Sequence, residues 1–142
     1  MKRSFQNHIS IKLHQTDLKL TSFIKAKLAP YNLAPEQNLI MMLLWEEDGL
    51  TQNQIANYLG KDKANIARMA SSLEKKGYIE RCFRIDDMRS LELHLTESGR
   101  MLEAKVTAVT DEINEVVNQT MTEAEMNELD RLLLKMQQSI DE

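Results

Sequence analysis

The sequence predicts a mainly α fold, α+β by strict count, built around a helix-turn-helix and a β-hairpin, and three observations carry that reading. The first is composition. Among 142 residues there are four Gly and two Pro against nine Met and many Leu, Glu and Lys, a balance that favours helix. The second is the stretch I-A-N-Y-L-G-K-D-K-A-N-I at residues 55–66. Two helices that cross steeply need a small residue where they touch, a residue tolerant of positive φ in the turn, and an apolar residue that pins the second helix to the first. Ala56, Gly60 and Ile66 stand in that order. The third is a change of period beyond Gly77: residues 79–85 and 91–95 read as short strands, the second alternating Leu91, Leu93 and Leu95 with Glu92 and His94.

Each element can be justified in turn. From about residue 5 to residue 28, Ile9, Leu13, Leu20, Ile24 and Leu28 recur near helical spacing among Lys, Gln, His and Thr, which predicts one long amphipathic helix. Pro30 and Asn32 break it. Pro35 and Glu36 suit the first turn of a second helix, whose run from Leu39 to Trp45 is apolar nearly all round and should be largely buried. Residues 46–49 end it. Thr51 and Gln54 have the spacing of a capping box, which opens the first helix of the hairpin. Asp62 is the expected N-cap of the second, which should run to about Lys76 and stop with Gly77 at C′. Ile55, Leu59, Ile66, Met69, Ala70 and Leu73 turn inward. Lys61, Lys63, Asn65 and Arg68 leave the other face polar and basic, which suits a DNA major groove.

The strands that follow form a hairpin with a polar tip at residues 86–90, Arg89 at the tip and Arg84 at its base. A helix-turn-helix followed by such a hairpin is a winged helix-turn-helix. Thr96 to Gly99 starts a further helix carrying Leu102, Val106, Val109, Ile113, Val116 and Met121. Thr122 and Glu125 form a second capping box, opening a last helix with Met126, Leu129, Leu133, Met136 and Ile140 on one stripe. The organisation expected is a single domain over 1–142, with a DNA-binding lobe at 36–96 and N- and C-terminal helices, 1–34 and 97–142, forming a dimerisation region. A second subunit is the economical cover for the apolar stripes. The alternative is a monomer whose terminal helices pack only on each other.

The net charge of −4 is unevenly spread. Residues 1–60 carry six Lys/Arg and five Asp/Glu, residues 61–89 eight and five, and residues 90–142 four and twelve, giving +1, +3 and −8. A basic middle beside an acidic tail fits a chain that meets nucleic acid with its centre. No apolar run approaches the ~20 residues that span a bilayer, and the polar residues 1–7 do not read as a secretory signal, so the expected address is the cytoplasm and no membrane partner is expected. Nothing resembles a nucleophile with a placed base, a phosphate loop or a metal-ligand spacing, so the expectation is no enzyme and no cofactor. His8, His14 and His94 are scattered, and no metal is expected. The single cysteine, Cys82, reads as a half-buried structural residue, with redox sensing beside Arg81 and Arg84 as the alternative.

The hairpin at 55–68, the exit S-L-E-K-K-G-Y-I-E-R at 72–81, the wing R-I-D-D-M-R at 84–89 and L-H-L-T-E-S-G at 93–99 resemble the MarR family of bacterial transcription regulators. The wing, an Arg followed by D-x-R, is the most specific of these. The resemblance implies a homodimer on double-stranded, palindromic promoter DNA, acting as a repressor or, less often, an activator. It assigns the major groove to the second hairpin helix and the adjacent minor groove to Arg89, oriented by Asp87. Arg68 matches a position usually Arg in the family. Asn65 stands where Ser or Thr is usual, and Ser71 and Ser72 replace a commoner Asp-Arg pair. Lys61 and Lys63 are assigned to phosphate, Arg84 to the wing base, and Lys75 and Lys76 to solvent. Many members release DNA when a small aromatic or phenolic molecule binds, so a small-molecule effector is an expected partner; Phe23, Tyr31, Met41, Met42 and Trp45 are available apolar residues, with no contact assigned. A winged helix used to bind protein is the rival of another class, and apolar anchors in place of the basic face would mark it.

Overall fold

Capping residues set most helix boundaries in the computed structural model of the chain, which describes residues 4–141. The polar start noted above falls partly on residues 1–3, outside the described residues. The chain divides into two compact units, Met1–Val106 and Thr107–Glu142.

In the first unit, a 3-10 turn at Phe5–Asn7 precedes helix α1 at Ile9–Leu28, so the single helix expected from residue 5 is interrupted where His8 adopts an extended backbone. Only Leu28 of α1 is buried. The chain then turns through a second 3-10 segment, Ala29–Tyr31, and Asn32 takes a left-handed φ of 53°. Helix α2, Pro35–Glu46, buries Asn38, Ile40, Met41 and Leu44. It is not buried all round: Leu39 and Met42 are 40% and 42% exposed, because this apolar face of α2 is only partly covered by the described residues.

Helix α3, Gln52–Leu59, opens as its sequence dictates: the Gln54 N–H donates to Thr51 Oγ1 at 3.1 Å and the Thr51 N–H to Gln54 Oε1 at 2.9 Å. Gly60 ends it at φ +63°, the left-handed conformation the turn requires. Asp62 accepts the Asn65 N–H at 2.7 Å and starts α4, Lys63–Lys75, which buries Ile66, Met69, Ala70 and Leu73 against α3 and α2. Gly77, at φ +85°, turns the chain into β1, Ile79–Phe83, which pairs antiparallel with β2, Leu91–Leu95. The first strand is two residues shorter than its apolar run, since Ile85 points fully into solvent.

The wing is anchored on its second strand. The Leu93 N–H donates to Leu50 O at 2.9 Å and the Gly49 N–H to Leu93 O at 3.0 Å, while Thr51 bridges Glu92, so the segment before α3 lies along β2. Asp48 closes this edge by accepting the Leu95 N–H at 2.8 Å. Helix α5, Glu97–Asn118, begins with Thr96, whose hydroxyl donates to Gly77 O at 2.6 Å and accepts the Gly99 N–H at 3.0 Å. The indole N–H of Trp45 reaches Gly99 O at 3.0 Å, tying α2 to the start of α5. Ile40, Leu44, Ile55, Ile66, Leu73, Ile79 and Leu93 form the interior of this lobe.

The second unit holds the last part of α5 and helix α6, Glu123–Ile140, whose capping box pairs Thr122 with Glu125 at 3.1 Å and 3.0 Å. No residue of α6 is buried, and Ile140 is 75% exposed.

Candidate nucleic-acid interface

The inward positions of α4 fix which of its residues look out. With Ile66, Met69, Ala70 and Leu73 buried, the 3.6-residue period turns Lys63, Arg68 and Lys75 to solvent and leaves Asn65, Ser71 and Ser72 half-buried at the margins. Among the described residues nothing binds the side chains of Lys63, Arg68 or Lys75. Their charges are uncommitted.

Other cations of the lobe are engaged internally. Lys61 Nζ lies 2.9 Å from Glu36 Oε1, which ties the start of the hairpin's second helix to the first turn of α2. Arg81 reaches Glu74 and Gln52, and its own N–H donates to Glu74 Oε2 at 3.0 Å, an interaction that holds the Glu74 carboxyl below its ordinary pKa. Lys76 donates to Gln37 Oε1 at 2.6 Å, and partial burial lowers the pKa of its ammonium group. The expectation of a solvated Lys76 therefore gives way to a residue that packs α4 against α2. Ser72 shares that junction, since Gln37 Nε2 donates to its Oγ at 3.0 Å.

At the wing, Arg84 makes a two-pronged contact with Asp86, 2.9 Å from each nitrogen to its oxygen, which raises the guanidinium pKa further. Asp87 shapes the tip: one oxygen accepts the Arg89 N–H at 3.0 Å and the other the Ser90 hydroxyl at 3.0 Å. Those donors hold the Asp87 carboxyl below its usual range, the Arg89 N–H most of all. The Arg89 guanidinium stands 3.7 Å from Asp87 and is 96% exposed, so Asp87 acts chiefly on the backbone that carries Arg89. This Asx-type turn replaces the glycine the tip lacks.

The residues named from the sequence thus sort into two sets. Lys63, Arg68 and Arg89 present exposed charge from α4 and the wing tip, with Asn65 and Ser71 beside Lys63 and Arg68 on α4. Lys61, Ser72, Arg84 and Asp87 are bonded within the fold and build its frame. The sequence pattern gives no signal for that division, because the partners Glu36 and Gln37 lie 25 and 35 residues away. The pattern also leaves His94 among scattered histidines, whereas the strand register brings it beside Glu92 and Cys82. The spacing Glu92-x-His94 on one strand is the available clue.

Residues 33–91 match the model of the MarR family. An HTH-type transcriptional regulator, TtmR, of Methylorubrum extorquens (strain PA1) is 28% identical over 99 residues, 70% of this chain, and the chain spans about half, 51%, of that relative. The organic hydroperoxide resistance transcriptional regulator of Bacillus subtilis (strain 168) is 29% identical over 73% of this chain and 71% of its own length. Among solved structures, S. aureus MepR in a complex with DNA superposes with a TM-score of 0.87 at 27% identity, covering 93% of this chain and 98% of that one. The first two of these relatives are transcriptional regulators. Family model, fold and relatives agree that the chain is similar to the MarR family of winged helix-turn-helix proteins.

Proposed function

We propose that this protein is a sequence-specific DNA-binding transcription regulator that grips duplex DNA at two points, α4 in the major groove and Arg89 in the adjacent minor groove. The observation that carries the reading is the contrast in side-chain commitment: Lys63, Arg68 and Arg89 are exposed and unheld by hydrogen bonds, while Lys61, Arg81 and Arg84 are bonded to carboxylates. An exposed cation that no internal hydrogen bond holds is available for phosphate or a base edge. Asn65 suits a bidentate contact to adenine, and Ser71 a phosphate oxygen. Lys61 reaches phosphate only by leaving Glu36, a partly exposed pair worth at most about 1 kcal/mol. Ser72, Arg84 and Asp87 serve by holding the helix and wing in position. That MepR has been solved with DNA supports the same reading.

The protein acts as a homodimer on a palindromic promoter site, most simply as a repressor. Exposed Ile9, Leu13 and Leu18 on α1, and Leu129, Leu132 and Ile140 on α6, are apolar surface that a second copy would cover. A small-molecule effector is the further partner. An open cleft of about 440 Å³ in the first unit, lined by Tyr31, Tyr78, Glu97, Met101 and Lys105, offers aromatic walls with one cation and one carboxylate, a fit for a small aromatic molecule with polar substituents. This reading keeps the protein off membranes, and no described helix is long and apolar enough to cross one.

Selection of bound fragments from genomic DNA, with and without candidate aromatic acids, tests the proposal. The expected result is enrichment of a two-fold symmetric sequence bound by two chains. Recovery of fragments without a common sequence, or of none, would contradict it.

A further inference from the structure

One face of the wing hairpin gathers three side chains of metal-ligand type. The register sets Cys82 of β1 opposite Glu92 of β2, and the two-residue period of a strand puts His94 on the same face as Glu92. One donor atom from each, the Cys82 sulfur, a Glu92 carboxylate oxygen and a His94 ring nitrogen, lie within 4.8 Å of one another. Two of them already meet: His94 Nε2 and Glu92 Oε1 share a hydrogen bond at 3.0 Å.

We propose that Cys82, Glu92 and His94 form a zinc site, with the fourth position taken by water or by Glu80, which the register sets opposite His94. A thiolate, an imidazole and a carboxylate together suit zinc and are a poor match for magnesium or calcium. Zinc bonds of about 2.0–2.3 Å at tetrahedral angles separate donor atoms by roughly 3.3–3.6 Å. The His94–Glu92 pair, at 3.0 Å, needs to open by only a few tenths of an ångström, and the exposed Cys82 sulfur, within 4.8 Å of both donors, needs to close in. A Cβ on Gly49 would stand only 3.0 Å from His94 Cε1, so the ring lies close against the Gly49 backbone. Arg84 lies 3.9 Å from the other Glu92 oxygen, Oε2, but its guanidinium is taken up by Asp86, which leaves Oε1 for the metal. Zinc takes the place of the His94–Glu92 hydrogen bond, the imidazole binding through Nε2 as its neutral Nδ1–H tautomer, and displaces the Cys82 thiol proton to solvent, so affinity falls as pH falls.

The site needs no DNA contact, and its test is separate from that of the regulator reading. Zinc affinity of the full chain is measured by competition with a chromophoric chelator for the parent, Cys82→Ser, His94→Gln and a control, His14→Gln. Absorption spectra are taken after loading with cobalt(II). The parent should bind one equivalent per chain and show a thiolate-to-cobalt charge-transfer band. Cys82→Ser and His94→Gln should each weaken binding by at least tenfold, and His14→Gln should leave it unchanged. The cobalt band in the unmutated chain decides the matter even where a variant folds poorly. No bound zinc, no charge-transfer band, or equal affinity in Cys82→Ser and His94→Gln to that of the parent would overturn the proposal.

Discussion

Replacing Gly99 by alanine should destabilise the protein even though alanine is the better helix former. Gly99 lies in the first turn of α5, where the chain comes directly against the end of the preceding turn. A Cβ built there would sit 3.1 Å from the Tyr78 carbonyl carbon and 3.4 Å from Leu95 Cδ2. It would overlap the Tyr78 carbonyl oxygen by more than about 1 Å, given an optimal separation of about 3.5 Å between non-bonded atoms. Both partners are backbone or buried side chain, so neither can swing away. Relief requires moving the start of α5 off Tyr78, which stretches the Thr96 N–H bond to Tyr78 O, 3.1 Å, and the Trp45 bond to Gly99 O, 3.0 Å. Overpacking costs about 1–3 kcal/mol, and each weakened hydrogen bond up to about 1 kcal/mol. Helix propensity returns about 1 kcal/mol. The net expectation is a loss of about 1–3 kcal/mol, a drop of roughly 4–12 °C in melting temperature for a chain of this size. Thermal and urea unfolding of Gly99→Ala and of Ser98→Ala, an exposed neighbour, at one protein concentration would measure it. A Gly99→Ala protein as stable as the parent would refute the close approach, and with it the docking of α5 on the wing's entry.

Other consequences are more local. Gly60→Ala meets no neighbouring atom but must hold φ near +63°, so it should cost about 1 kcal/mol in urea unfolding, and Gly60→Asn less, since Asn tolerates the left-handed region. Equal costs for the two would contradict the turn geometry. Because the Asp87 carboxyl is held below its unfolded value of 3.8, its ordering of the wing tip is fully present above that pH and fades as pH falls through the lower folded value. A carbon-detected titration of Asp87 should find a midpoint below 3.8, and one above it would remove the Arg89 and Ser90 donors from the account. Lys63→Ala should weaken DNA binding about equally on specific and random duplexes and flatten the slope of log affinity against log salt by about 0.9 for each phosphate no longer neutralised. Weakening confined to the specific sequence would make Lys63 a base-reading residue.

Local chemistry was legible in the sequence wherever a structure is decided within a few residues. Thr51 with Gln54, Asp62, Gly77 and Thr122 with Glu125 mark helix ends, because capping is a bond between residues two or three positions apart. Ala56, Gly60 and Ile66 mark the hairpin for the same reason. Periodicity located α1 but not the break at His8, which no breaker residue announces. It overstated the burial of α2, since an apolar face looks the same whether this chain or another covers it. What escaped the sequence was long-range pairing. Whether a lysine is free, like Lys63, or spent on the fold, like Lys61 on Glu36 and Lys76 on Gln37, depends on residues brought together only by the packing of α2 on α4. The meeting of Cys82, Glu92 and His94 depends likewise on strand register, which the hairpin tip sets without a turn glycine to signal its length.

The most direct test of the two-point grip is the affinity of Arg68→Ala, Arg89→Ala and Lys75→Ala for a selected duplex at one salt concentration. Lys75 is exposed like the other two and, like Arg68, unpaired, but lies at the far end of α4, at the exit toward β1. The account predicts losses of about 1–3 kcal/mol for Arg68→Ala and for Arg89→Ala, relaxed sequence preference in the former, and little change for Lys75→Ala. Parental affinity in both arginine variants, or equal losses in all three, would contradict it.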